Sequence, residues 1–285
     1  MLLDHCFINR PSRSARNRRL ALLGLLLASA ALLSGCGKSP AQQEREAQEA
    51  SYREKYAKAK ALFEERCKTA GVVVKRVVKD VEGIELTRIR PEIPFGGKEY
   101  FDPMYPGAAM ADEAQALGYI ESFLWTEYRN KSRPSERGHL HPPTDNELPP
   151  SNGYRYVEAV DPSDGRRYRY ELPRYWSRNS AGDPGVVRLA AGRSRPRFAV
   201  DYEDLVEPAD RALWIAGTRI KVIDQETGEL VAQLTRYVWD PGFGGSTSGR
   251  WPWQHAGGRA DRNCPTPYEL GYQTRKFVDT VLQPK

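Results

Sequence analysis

The sequence predicts an α+β domain in which antiparallel β-hairpins build a sheet flanked by an N-terminal and a C-terminal helix. Three observations carry that expectation. Residues 41–67 hold a helical stripe, three later stretches gather β-branched residues around turn signals, and residues 268–282 return to helical clustering. The turns fall at irregular intervals, so they mark no repeat architecture.

In the first helix Tyr52, Tyr56, Ala59, Phe63 and Cys67 recur every three or four residues and share one face. Glu49–Arg53 and Glu54–Lys58 are favourable i,i+4 pairs, and Gly71 is placed to stop the helix. The helix is expected to be partly solvated and to pack at its C-terminal end. A first hairpin is expected from Val72–Val78, a turn at Asp80–Gly83, and Ile84–Ile89. Pro91, Pro94, Pro103 and Pro106 with a Gly-Gly make residues 91–107 a loop. A helix over 112–125 would put Ala116, Ile120 and Phe123 on one face, although Gly118 weakens it.

Residues 129–152 are polar and proline-rich, which predicts an exposed loop. Two further hairpins follow, 154–160 with 166–172 and 218–223 with 229–239. Their turns read Asp161-x-x-x-Gly165 and Asp224-x-x-x-Gly228, with Asp bonding the local backbone and Gly supplying positive φ. Between them, 197–202 suits a strand and 208–214 a short helix. The Gly-rich stretch 241–263, which carries Trp251 and Trp253, is expected as loop. Phe277, Val278, Val281 and Leu282 cluster on the closing helix.

The first residues carry a different message. Arg10, Arg13, Arg16, Arg18 and Arg19 stand against one acid, Asp4, ahead of fourteen uncharged residues at 20–33. Such a pairing of basic and apolar regions is an export signal. The run falls short of the ~20 residues of a spanning helix. Leu33-Ser-Gly-Cys36 resembles the bacterial lipobox, in which the cysteine is acylated and becomes the mature N-terminus. The other reading is an ordinary signal peptide with a chance cysteine. The lipobox reading makes 1–35 a signal peptide, 36–43 a lipidated tether, and 44–285 a single periplasmic domain with an N-terminal helix. In the lipoprotein class it resembles, Gly37 rather than Asp after Cys36 implies an outer-membrane protein on the periplasmic face.

Cleavage changes the charge argument. The chain has 43 Lys+Arg and 37 Asp+Glu; the first 35 residues take five and one of these, leaving 38 against 36, a net +2. A nucleic-acid partner is therefore not expected. The four cysteines reduce in the same way. Cys6 leaves with the signal and Cys36 is acylated, so Cys67 and Cys264 are expected to pair in an oxidising compartment. The alternative is one buried and one exposed thiol.

No catalytic or cofactor fingerprint emerges, and the chain is read as a non-enzyme without cofactor. Gly245-Ser-Thr-Ser-Gly249 has Thr247 where a nucleophile elbow needs serine, and no helix follows. His139-Leu-His141 would share a strand face, but Pro142-Pro143 follows and only His255 remains to complete a metal set, so no metal is expected. Gly242-Phe-Gly-Gly245 is too short for a dinucleotide turn. Aromatics are more informative: 15 Tyr and six Trp include Tyr100-Phe101, Tyr105, Tyr175-Trp176 and Trp251-Pro-Trp253 in irregular segments. With Arg250, the residues Trp251, Trp253, Tyr175 and Trp176 are candidate partner contacts, since aromatic and arginine side chains favour hot spots. The same rings also suit a loop-rich core.

Phe63-Glu-Glu-Arg-Cys-Lys68, Val77-Val-Lys-Asp-Val-Glu-Gly-Ile-Glu-Leu86, Arg88-Ile-Arg-Pro91, Trp214-Ile-Ala-Gly-Thr218, Ile220-Lys-Val-Ile-Asp224 with Gly228-Glu229, Asn263-Cys-Pro265 and Gln273-Thr-Arg-Lys-Phe-Val278 span most of the mature chain. In these segments it resembles a group of proteobacterial outer-membrane lipoproteins, itself similar to immunity proteins of type VI secretion lipase effectors. That resemblance implies a protein partner, a toxic phospholipase, and a membrane contact through the lipid anchor. It brings no catalytic residues. The alternative is an envelope ligand-binding or assembly lipoprotein with a glycan or membrane-protein partner.

Overall fold

The computed structural model describes residues 38–128, 139–141, 153–172, 185–245, 251–266 and 272–285, with backbone alone at 126–128 and 139–141. The chain divides into two units, residues 1–53 and 54–285. The described part of the first is exposed helix, the start of α1 (Pro40–Cys67). That start is locally encoded. The Gln42 amide donates to Ser39 Oγ (3.2 Å) and the Ser39 amide to Gln42 Oε1 (3.1 Å), a reciprocal cap with Pro40 in the first turn. The helix therefore begins inside the segment expected as tether.

In the second unit α1 ends on the stripe read from the sequence. Ala59 and Phe63 are buried, and Tyr56 and Phe63 each lie against Trp239, at 5.2 and 5.6 Å between ring centroids. Arg66 grips Asp210 with two bonds of 2.9 Å. Cys67 and Cys264 form a disulfide, Cα atoms 5.5 Å apart, as expected.

The fold is α+β with a helix at each end, and its main sheet among the described residues has nine strands. They are β1 (Gly71–Val74), β3 (Gly83–Leu86), β6 (Tyr156–Val160), β7 (Arg167–Glu171), β8 (Val187–Ala190), β9 (Phe198–Leu205), β10 (Ile215–Asp224), β11 (Glu229–Trp239) and β12 (Asn263–Cys264). The order runs β1-β11-β10-β9-β3-β6-β7-β8, with β12 also on β11. Two pairs stand outside it: β2 (Val78–Val81) beside β13 (Leu282–Pro284), and β4 (Thr126–Tyr128) beside β5 (His139–His141).

The second and third hairpins stand where expected, β6–β7 and β10–β11. Their turns are built alike. Gly165 and Gly228 have φ of 67° and 71°, and their amides donate to the Asp161 and Asp224 carbonyls at 2.8 Å. The first hairpin does not form. Its two arms part: β1 pairs with β11, and β3 lies parallel between β6 and β9. The sheet is consequently mixed, not purely antiparallel. Gly83, read as a turn residue, instead opens β3, where a Cβ would meet the Tyr156 ring at 2.3 Å. All of β3 is buried, Glu85 included, whose carboxylate takes 2.9 Å bonds from Arg195 and Gln225.

The principal core lies where α2 (Ala116–Leu124) and α5 (Gln273–Val281) cover the sheet: Ile120, Phe123, Phe277 and Val281 meet Ile84, Val157, Ile220 and Val222. The helix expected over 112–125 starts at Ala116, since Ala116 itself holds φ of 48° and its amide donates to the Arg90 carbonyl. A short α3 (Pro208–Arg211) precedes β10. The stretch 241–263 is not one loop: a turn at 241–244 is followed, after Trp251, by α4 (Pro252–Gly257).

Candidate binding surface

A second, smaller core carries the aromatic residues. It joins Ile93, Tyr100, Ala108, Ala109, Ala216, Val238, Trp253 and Ala256. Trp253 lies on α4 and is 0% exposed; its indole N–H donates to the Asp102 carbonyl at 2.8 Å, and its ring lies 5.0 Å from Trp214. As a partner contact Trp253 is therefore corrected: it is interior. The reason is its place one residue into the helix after Pro252, where it packs inward on Asp102, Trp214 and Arg211, while Trp251 stays in extended backbone ahead of the helix.

Trp251 is only half-buried and stacks on Tyr100, ring centroids 4.5 Å apart and 11° between planes. Phe95 meets the same indole edge-on at 4.8 Å. Phe95 is 96% exposed, the most exposed large apolar residue described. Local chemistry puts it there. Pro94-Phe-Gly-Gly97 is a turn closed by the Gly97 amide on the Pro94 carbonyl (2.7 Å), and Gly96 at φ 74° occupies the position that needs glycine in a type II turn. Phe95 is thus held at the apex. The loop is pinned behind by Ile93, buried, whose amide donates to Gln115 Oε1 at 2.7 Å. Phe101 and Met104, further along the same segment, are also exposed.

Buried polar groups hold this surface in place. Arg236 bonds Asn263 Oδ1 (2.6 Å), Asp112 and the Gly257 carbonyl, while Asn263 Nδ2 donates to the carbonyls of Ala256 and Gly257 at the end of α4. Arg90 is buried over the Tyr202 ring at 3.7 Å and bonds Asp204 and Thr218. Arg211 donates to the Pro106 and Leu205 carbonyls, and burial lowers its pKa to about 10. Burial also pushes Tyr105 up to about 12 and raises Tyr100. Among these groups Arg211 ties down the 93–110 segment directly, through the Pro106 carbonyl.

Of the other residues singled out from the sequence, Cys36, Tyr175, Trp176 and Arg250 lie outside the described residues, as does most of Gly245–Gly249. His139–His141 is backbone of β5. Among the described residues no group of three or more His, Cys, Asp or Glu is arranged to hold a metal, and no helix is long and apolar enough to cross a membrane. Phe95 was not singled out, although Pro-Phe-Gly-Gly carries the turn signal that exposes it.

Burial separates the two residues sharply. Trp253→Ala is expected to cost about 3–5 kcal/mol, as for other large core truncations. Phe95→Ala should change stability by less than about 0.5 kcal/mol. Urea melts of both variants decide this; equal losses would place Phe95 in the core. No protein-family model, curated protein or solved structure matches the chain.

Proposed function

We propose that this chain is a lipid-anchored binding protein of the periplasmic face of the outer membrane, and that it neutralises a phospholipase toxin by occluding it. The single observation that carries the binding reading is the exposed aromatic surface, with Phe95 raised above Trp251 and Tyr100. A ring held in solvent by turn geometry adds contact area on binding at little cost in side-chain ordering, which is what a hot spot needs. The anchoring reading rests on Leu33-Ser-Gly-Cys36, and the immunity reading on the sequence resemblance. Anchoring would concentrate the inhibitor at the surface such a toxin attacks.

The test is survival. Deleting the gene should sensitise cells to a lipase encoded beside it, and re-expression of the full chain should restore resistance. Re-expression of Phe95→Ala should restore it less well, with affinity for the purified lipase lowered by about 2 kcal/mol or more. A deletion strain that tolerates every neighbouring lipase, with no complex in pull-downs, overturns the immunity reading. Retention of full affinity by Phe95→Ala moves the contact away from this surface.

A further inference from the structure

A cavity of about 330 Å³ opens between α2 and the outer strands β7 and β8. Its floor is the buried Ile120 and Tyr170, continuous with the principal core. Ile89, Leu117 and Val186 make its sides, and Leu117 remains 47% exposed. Two charges stand on its rim, Asp161 from the β6–β7 turn and Arg188 from β8, joined at 2.5 Å.

Both charges are held in place. The Asp161 carboxylate accepts from the Ser163 amide (2.9 Å) and hydroxyl (2.6 Å) through Oδ1, which leaves Oδ2 for Arg188. The Arg188 guanidinium lies over the Tyr168 ring at 4.0 Å, and the Tyr168 hydroxyl in turn donates to Asp164. An apolar slot therefore ends in a fixed pair of opposite charges, half-exposed on the arginine side.

We infer that this cavity binds a single-chain zwitterionic amphiphile. An engineered cavity of roughly 150 Å³ accepts benzene, so this one suits an aliphatic chain of about eight to twelve carbons. The slot is lined mainly by apolar side chains, and the Tyr170 hydroxyl at its floor is engaged by Arg188. At the rim a head with one cation and one anion complements the Asp161–Arg188 pair without separating it, its cation against Asp161 and its anion against the half-exposed Arg188. A head of single charge pairs with one rim residue and is opposed by the other. An uncharged head leaves the rim pair unused. This inference stands apart from the toxin reading, since it uses none of the residues of the aromatic surface.

Decylphosphocholine, below its micellar concentration, is the probe, titrated calorimetrically into the full chain alongside decyl maltoside, decyl sulfate and decyltrimethylammonium. Saturable binding at one amphiphile per chain is expected, tightest for the phosphocholine. Arg188→Gln should weaken the phosphocholine by about tenfold, the worth of one charge-assisted hydrogen bond, and erase its advantage over the maltoside. Leu117→Trp, which fills the slot from an exposed position, should abolish binding of all four. Thermal melts of both variants should match the parent, and a misfolded Leu117→Trp leaves the Arg188→Gln selectivity as the deciding result. Absence of saturation, a maltoside that binds as well as the phosphocholine, or full binding by Leu117→Trp would each overturn the inference.

Discussion

Replacing Cys67 and Cys264 together by serine is expected to cost about 5 kcal/mol of stability, on the chain-entropy account of cross-links. The bridge joins residues 197 apart, so the unfolded chain without it regains the freedom of most of its length. For a domain of this size such a loss lowers the melting temperature by roughly 10–20 °C. Total stabilities of about 5–15 kcal/mol leave the variant close to unfolding. The consequence reaches the aromatic surface as well. Cys264 closes β12, and its neighbour Asn263 holds the end of α4, on whose approach Trp251 sits. Urea midpoints for the double variant and for the reduced parent should coincide, well below the oxidised parent. A shift worth less than about 1 kcal/mol would show that Phe63, Tyr56 and the Arg66–Asp210 pair hold the end of α1 without it.

What proved legible in the sequence was local. The Asp-x-x-x-Gly turns at 161–165 and 224–228 carry their own conformation, and both hairpins follow from them. The stripe on α1 was legible for the same reason, since a 3.6-residue period is written within one element. The pairing of β1 and β3 was not. Residues 71–74 find partners at 232–235, and residues 83–86 find them at 156–159 and 198–200, so no neighbouring turn specifies either. Gly83 shows how the misreading arises. Glycine is needed there for the approach of the Tyr156 ring, and a sequence cannot distinguish that need from a turn's.

The aromatic surface divides along the same line. Trp251-Pro-Trp253 announces an aromatic cluster, but which ring faces solvent depends on α4 packing against β11, some residues away in the chain and set by the Arg236–Asn263 contacts. Aromatic content alone therefore joined one interior and one surface tryptophan. The turn chemistry of Pro94–Gly97 points to the most exposed ring among the described residues.

Stability is expected to fall as pH rises from about 5 to 8, and Glu113→Gln should abolish much of that fall. Glu113 is fully buried beside the first turn of α5, its Oε2 accepting from the Thr274 amide and hydroxyl at 3.2 Å each. Burial, reinforced by the Asp112 carboxylate, pushes its pKa up to about 8, against opposing help from Arg90 and Thr274. In the unfolded chain the same group titrates near its ordinary 4.5. Between those two values the native state holds a proton that the unfolded state has released. A raised carboxyl pKa thus stabilises the fold below the window and subtracts stability through it, by up to about 1.4 kcal/mol per pH unit, levelling above the folded value. Asp224 has the opposite sign. Arg197 and Arg76 hold its carboxylate down to about 2, so its contribution is complete above its ordinary value and is lost only on strong acidification. The two windows do not overlap, so of these two carboxyls Glu113 alone acts in the neutral range. Glutamine copies the neutral acid in shape and keeps an acceptor for Thr274. The variant should therefore match the parent at pH 5 and exceed it at pH 8 by a few kcal/mol. Urea melts at half-unit steps across that range provide the measurement. Parallel curves for parent and variant would show that Glu113 is ionised in the fold, with water or a neighbouring cation meeting its charge.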